Sequence, residues 1–224
     1  MSKVAIVAGG QGVLGRAVVA ELHRQGYRVA VVDIALAAEL PGAEFVLDGV
    51  DLADSAAVEL AYSSVAARLG VIHAVVNVAG GFVWDPVEDG SLDHWDRMYR
   101  TNLRSAAASS RAAIAWLAAP GGAIVNVGAA GAERPGHGMA PYAASKAGVK
   151  ALTLSLAEEL RSRSVRVNAI LPTIIDTPAN RREMPDEETA GWVQPEAAAA
   201  VVAFLVSGAA RAVTGAVIEV SLGG

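Results

Sequence analysis

Five apolar residues, Val4 to Ala8, run directly into Gly9-Gly10-Gln11-Gly12-Val13-Leu14-Gly15, and an amphipathic stretch follows at once. A short β-branched run, a glycine turn and a helical pattern make one strand-turn-helix unit. The span from Gly10 to Gly15 reads GxGxxG. Its first glycines allow a tight turn and a close approach of backbone to a pyrophosphate, and Gly15 lets helix and strand pack. The helix start, with Val13 and Leu14, offers amide donors and a positive dipole end. A plain strand-turn-helix would need none of this.

The same alternation continues along the chain. Strand patterns are expected at 4–8, 28–33, 44–48, 72–78, 123–127, 165–171 and 216–220. Helical patterns are expected at 13–25, 55–69, 91–118 with a break near Thr101, 141–161 and 195–207. Strand followed by helix, repeated, predicts a seven-stranded parallel sheet with right-handed crossovers, a single-domain doubly wound α/β fold of the Rossmann kind over residues 1–224. Val149, Leu152, Leu156 and Leu160 draw an apolar stripe along the 141–161 helix, expected on the face opposite its reactive residues, as core or subunit interface. The stretch 176–193 is polar, charged and proline-bracketed, and is expected to form a lid.

Composition excludes other classes. Hydrophobic residues make up 53% of the chain and charged residues 18%, which suits a sheet covered on both faces. Net charge is −5, with no basic cluster beyond Arg181-Arg182, so nucleic acid is not an expected partner. The chain has no cysteine, and His23, His73, His94 and His137 are scattered, so no metal is expected. Pro120-Gly121-Gly122 interrupts the uncharged run 112–132, which argues against a membrane span, and the apolar start is too short for a signal segment. A cytoplasmic protein is expected.

Asp33 lies 18 residues after Gly15 at the end of the second strand, where a carboxylate can accept both ribose hydroxyls of an adenosine. A 2′-phosphate there would meet several kcal/mol of repulsion at an effective dielectric of about 20. NAD, as NADH, is therefore expected over NADP. Asp51 and the Leu52 amide follow the third strand, in reach of an adenine edge. Asn77-Val78-Ala79-Gly80 ends the fourth, where Ala79 and Gly80 let a cofactor lie against backbone; Asn77 could equally bond a neighbouring strand.

Tyr142 and Lys146 stand at i and i+4, on one helix face with Cβ atoms roughly 6 Å apart. An ammonium beside a phenol makes that phenol a usable acid and base. Bringing it from about 10 to near 7 takes ~4 kcal/mol, which Lys146 and an oxidised nicotinamide could share by charge proximity.

The glycine turn, Asn77-Val78-Ala79-Gly80, Asn102, Tyr142-x-x-x-Lys146 and Pro172 before Thr177 occur in order. With them the chain resembles the short-chain dehydrogenase/reductase family along essentially its whole length. The resemblance implies hydride transfer from NADH to a carbonyl or quinonoid acceptor. Tyr142 is then the proton donor, Lys146 acidifies it and binds the nicotinamide ribose, and Asn102 holds a water that feeds protons to the lysine. Pro172, Ile174, Ile175 and Thr177 would border the nicotinamide, with Thr177 on its carboxamide. A homodimer or homotetramer through the helices at 102–119 and 141–161 is also implied.

Two departures matter. The family's serine thirteen residues before the tyrosine is Ala129 here, so Ser145, Thr173, His137 or a bound water would have to polarise a substrate carbonyl. The turn reads Gly-Gly-Gln-Gly-Val-Leu-Gly, with Ala8 where the family has threonine. Both, with Val78 through Gly81 and Asp176-Thr177-Pro178, resemble dihydropteridine reductases. Phe82, Trp84 and Trp192 could stack on an aromatic or pterin-like small molecule, or the tryptophans could pin loops; His137 could face pocket or solvent. The competing class is a nicotinamide-binding sensor or scaffold without chemistry.

Overall fold

The computed structural model describes residues 2–36 and 39–222; residues 1, 37, 38, 223 and 224 of the expected unit lie outside them. Seven strands form one parallel sheet: β1 (Val4–Ala8), β2 (Arg28–Val32), β3 (Ala43–Leu47), β4 (Ile72–Asn77), β5 (Ala123–Val127), β6 (Arg166–Pro172) and β7 (Val217–Val220). Their order is β3-β2-β1-β4-β5-β6-β7. This is the doubly wound α/β fold. The chain winds outward one way from β1 and the other way from β4, so a crevice opens at the carboxyl ends of β1 and β4, where such sheets take ligands.

Each face of the sheet has its own core. On one side, α1 (Val13–Arg24) and α7 (Pro195–Val206) pack Leu14, Val18, Val19 and Leu22 with Ala199, Val202 and Leu205. On the other, α2 (Ser55–Leu69), α4 (Ser105–Ile114) and α5 (Ala140–Glu159) pack Val58, Tyr62, Val65, Ala113 and Leu156. Strands β1, β5 and β6 are buried at every residue, the burial expected of strands covered twice.

Two local readings are corrected, and a third segment gains detail. The region 91–118 has no break at Thr101: α3 (Leu92–Met98) passes through a π-helical turn, Tyr99–Arg104, into α4 without interruption. The stripe on α5 does not oppose the reactive residues, because Val149, Leu156 and Leu160 are buried on the side where Lys146 is also buried; burial of the ammonium was not visible in a hydropathy pattern. The stretch 176–193 contains α6 (Pro178–Glu183), capped by the Thr177 hydroxyl. Its base is closed by the Ile175–Val193 bridge and by Asp176, whose carboxylate takes two bonds from Arg181 at 2.5 and 2.7 Å. Among the described residues no helix is long and apolar enough to cross a membrane.

Candidate active site

The glycine turn closes over the end of β1. Gly9 has φ +88°, and a Cβ there would lie 2.6 Å from the Ala79 Cα, so only glycine brings the turn against the backbone of Ala79, just past β4. A Cβ on Gly15 would run into the Gly9 carbonyl. Gly12 caps α1 with no side-chain bond to its first amides, so the donors of Val13 and Leu14 remain for an anion. The Leu14 side chain itself is core. Arg16 donates to the Gln11 carbonyl at 2.9 Å and to its Oε1 at 2.7 Å, while Gln11 Nε2 is buried with no hydrogen-bond partner among the described residues. A bare helix start and an orphaned donor fit a dinucleotide phosphate and ribose.

Asp33 is 8% exposed, and each of its oxygens is held: Gln11 N donates to Oδ2 at 2.8 Å and Ala35 N to Oδ1 at 2.9 Å. Its orientation is thereby fixed. Asp51 is occupied more fully than the sequence suggested, accepting from the Ala53 amide at 2.8 Å and from Arg100 at 2.5 Å. Arg100 reaches it from the π-helical turn, a tertiary contact with no local signal. The Leu52 side chain lies in the core. Asn77 spends its side chain within the protein, donating to Asn126 at 2.7 Å and Ser110 at 3.0 Å and accepting from Ser109. Of the two readings of Asn77, the bond to a neighbouring strand is the one its side chain makes.

Lys146 and Asn102 come together just past the end of β4, with Tyr142 one turn before Lys146 on α5. A Cβ placed on Gly80 would lie 2.9 Å from Asn102 Oδ1 and 3.0 Å from Lys146 Nζ. Lys146 donates to the Val127 carbonyl at 2.8 Å. Asn102 accepts from Gly81 N at 2.8 Å and donates to Gly81 O at 3.1 Å and to Ser145 Oγ at 2.9 Å. Ser145 in turn donates to the Tyr142 carbonyl at 2.7 Å, locking the first turn of α5 to the π-helical turn. Its hydroxyl is used, so Ser145 does not replace the missing serine.

The electrostatics of the pair differ from expectation. Burial lowers the Lys146 amine to about 8, and burial pushes the Tyr142 phenol up to about 12. Desolvation of both groups outweighs any pull of one on the other. The acidified phenol expected from the spacing is not a property of these residues alone.

Ala129 is buried, and its methyl group offers no hydroxyl at this position. Phe82 stands edge-on to Tyr142, with ring centroids 5.0 Å apart. Trp84 is 58% exposed, packs edge-on to the exposed His137 at 5.6 Å and donates to the His137 carbonyl at 3.0 Å. Trp192, within the 176–193 stretch, is buried at 4% exposure. Pro172 ends β6, and Ile174, Ile175 and Thr177 follow it; Thr177 Oγ1 accepts from Asn180 N at 3.1 Å, leaving its hydroxyl proton to donate. Thr173 is exposed.

The family model described as enoyl-(acyl carrier protein) reductase matches residues 8–224. D-threitol dehydrogenase of Mycolicibacterium smegmatis is 35% identical over 96% of this chain and 89% of its own length. The chain belongs to the short-chain dehydrogenase/reductase family. Another relative, 3-oxoacyl-(acyl-carrier-protein) reductase of Pseudomonas aeruginosa, is 34% identical over 99% of this chain and 96% of its own. Among solved members, a short-chain dehydrogenase/reductase from Serratia marcescens superposes with TM-score 0.88 at 32% identity, covering 97% and 96% of the two chains. A short-chain dehydrogenase from Burkholderia cenocepacia, solved in complex with NADP, gives 0.86 at 32% identity over 99% and 97%. As a short-chain dehydrogenase/reductase this protein is an oxidoreductase of the NAD(P)-using type; the narrower likeness to dihydropteridine reductases is not among what these matches establish.

Proposed function

We propose that the protein transfers hydride between NAD(H) and the carbonyl or alcohol carbon of a small molecule, with Tyr142 as the proton donor in the reducing direction. The observation that carries this reading is the meeting of Lys146 and Asn102 around Gly80, with Tyr142 one turn before Lys146 on α5, beside the glycine turn at the switch point of the sheet. A nicotinamide dinucleotide, when bound, supplies or accepts the hydride. The chain's own part is to hold the pyrophosphate on the amides after Gly12, the adenosine ribose on Asp33, the nicotinamide ribose on Lys146 and the carboxamide on Thr177. Tyr142 keeps its proton at neutral pH and gives it to an oxygen that gains negative charge.

NADH is preferred because Asp33 is not free to turn away. Swinging it aside would strand the amides of Gln11 and Ala35, at about 1–3 kcal/mol each, and leaving it in place sets a carboxylate against a 2′-phosphate. The acceptor is a flat or aromatic carbonyl compound, seated against Phe82 and Trp84. Relatives named for D-threitol, meso-2,3-butanediol and 3-oxoacyl-(acyl-carrier-protein) favour an ordinary carbonyl. Ala129 favours a second reading, a quinonoid dihydropterin, whose ring needs no serine to polarise it. The retained Tyr142, Lys146 and Asn102 weigh against a sensor without chemistry. Assembly as a homodimer or homotetramer in the cytoplasm accompanies the reading, with Leu154 of α5 45% exposed on the surface the subunits would share.

The test is a turnover measurement with NADH and NADPH against aliphatic ketones, diols, aromatic aldehydes and quinonoid dihydropterin. Turnover of any carbonyl with NADH, lost in Tyr142→Phe, supports the proposal. NADH binding without turnover of any acceptor points to the sensor.

A further inference from the structure

A chain of buried polar side chains crosses the apolar layer between α2 and α5. Tyr62 on α2 meets Ser109 on α4 at 2.5 Å, and Ser109 donates to Asn77 Oδ1 on β4. Asn77 donates to Asn126 Oδ1 on β5 at 2.7 Å, Asn126 donates to Thr153 Oγ1 on α5 at 2.9 Å, and Thr153 donates to the Val149 carbonyl at 2.8 Å. With the Ser109 proton given to Asn77, Tyr62 is the donor at the head. Every bond then runs in one direction, the arrangement in which successive hydrogen bonds polarise and strengthen one another. Two amide links interrupt any proton path, so the chain holds geometry.

What it holds is the seat of α5. Val149, Leu156 and Ala157 contribute apolar contacts that are non-directional and let a helix slide or roll. Two polar ties to β5 do not. Lys146 bonds the carbonyl of Val127, and Thr153 bonds the side chain of Asn126, the preceding strand residue. The two helix residues are seven apart, about 10.5 Å along the axis. Lys146 stands on a long flexible stem, whereas the β-branched Thr153 is stiff at χ1. Asn126 is itself held opposite Asn77, so β4, whose end leads into Gly80, is fixed by the same bonds.

The geometry points to Thr153 as a positioning residue for the reaction: through Asn126 it fixes the axial place and roll of α5, and hence where Lys146 and Tyr142 stand relative to Gly80. This rests on the reading of Lys146 and Tyr142 as the reacting pair. Misplacing reacting groups by about 1 Å can cost 10²-fold in rate. Around Lys146, β5 presents the Val127 carbonyl, and the π-helical turn presents the neutral Asn102.

The experiment compares wild type, Thr153→Val, Thr153→Ala and Thr153→Ser well below their melting temperatures, measuring kcat, KM for NADH and the pH dependence of kcat. Thr153→Val keeps the shape and loses the bond; Thr153→Ala covers the case in which the valine variant does not fold. Loss of tenfold or more in kcat, a displaced pH limb and recovery of both in Thr153→Ser are the expected results. A lowered melting temperature with kcat and the pH limb within twofold of wild type would overturn the inference, since a purely structural bond gives that pattern. Wild type that turns over no acceptor would instead overturn the underlying reading of the pair.

Discussion

The ammonium nitrogen of Lys146 lies 2.8 Å from the carbonyl oxygen of Val127, in a site where the lysine is only 5% exposed. One neutral acceptor is a poor exchange for water, and the amine titrates near 8 instead of 10.5. The folded protein has therefore released this proton between about pH 8 and 10.5, while the unfolded chain still holds it. Unfolding takes up a proton there, so stability rises with pH across that window, by about 3 kcal/mol when complete. From pH 10 the Tyr142 phenol, raised to about 12, acts in the opposite sense, and stability falls. Chemical denaturation of wild type and Lys146→Met at pH 7, 8.5 and 10 should show the variant's relative advantage shrinking as pH rises. A constant difference would show that the amine is not buried in its charged form.

Tyr142→Phe keeps the edge contact with Phe82 and removes the only proposed proton donor. The kcat for carbonyl reduction should fall ~10²–10⁴-fold, with the Kd for NADH, read by fluorescence titration, changed little. Retention of wild-type kcat would remove the tyrosine from the mechanism.

Asp33→Ala removes the charge that opposes a 2′-phosphate. The ratio of kcat/KM for NADPH to that for NADH should rise about 10²-fold, the equivalent of ~2.7 kcal/mol. Equal use of both cofactors by wild type would contradict the clamp argument before any mutation is made.

Gly80→Ala puts a methyl group 2.9 Å from Asn102 Oδ1 and 3.0 Å from Lys146 Nζ. Both neighbours would have to give way. Activity should drop ~10²-fold while the circular dichroism spectrum and cofactor-free melting temperature stay close to wild type. Unchanged activity would mean that Lys146 moves freely.

Ala129→Ser restores a hydroxyl at the position where the family keeps one. Since a single oxyanion donor is worth ~10²–10³ in rate, kcat/KM for simple ketones should rise about tenfold or more. A quinonoid acceptor should gain nothing. A loss with every substrate would show that the small side chain at 129 makes room for the acceptor.

Much of this was legible in the chain because it rests on short-range patterns. The order of strands and helices follows from β-branched runs alternating with 3.6-residue periodicity, and the glycine turn, Asp33, Tyr142 and Lys146 each announce themselves by spacing. What was illegible depends on contacts between distant segments. Asp51 looked free until Arg100 reached across to it, and Ser145 looked available until Asn102 and the Tyr142 carbonyl claimed it. The protonation of Tyr142 could not be read either, because i,i+4 spacing gives proximity to a charge and says nothing of how much water both groups lose.

The π-helical turn from Tyr99 to Arg104 sets the phase between α3 and α4. A wide turn of this kind accommodates one residue more than ordinary winding, so excising a single residue there would let the whole stretch relax to a regular helix. The flanking helices would keep their phase, and only side chains inside the turn, Asn102 among them, would rotate, by up to about 100°. Substitutions of similar size within 99–104 should be tolerated far better than a one-residue deletion, which would carry Asn102 away from Gly81 and Ser145 while leaving the sheet intact.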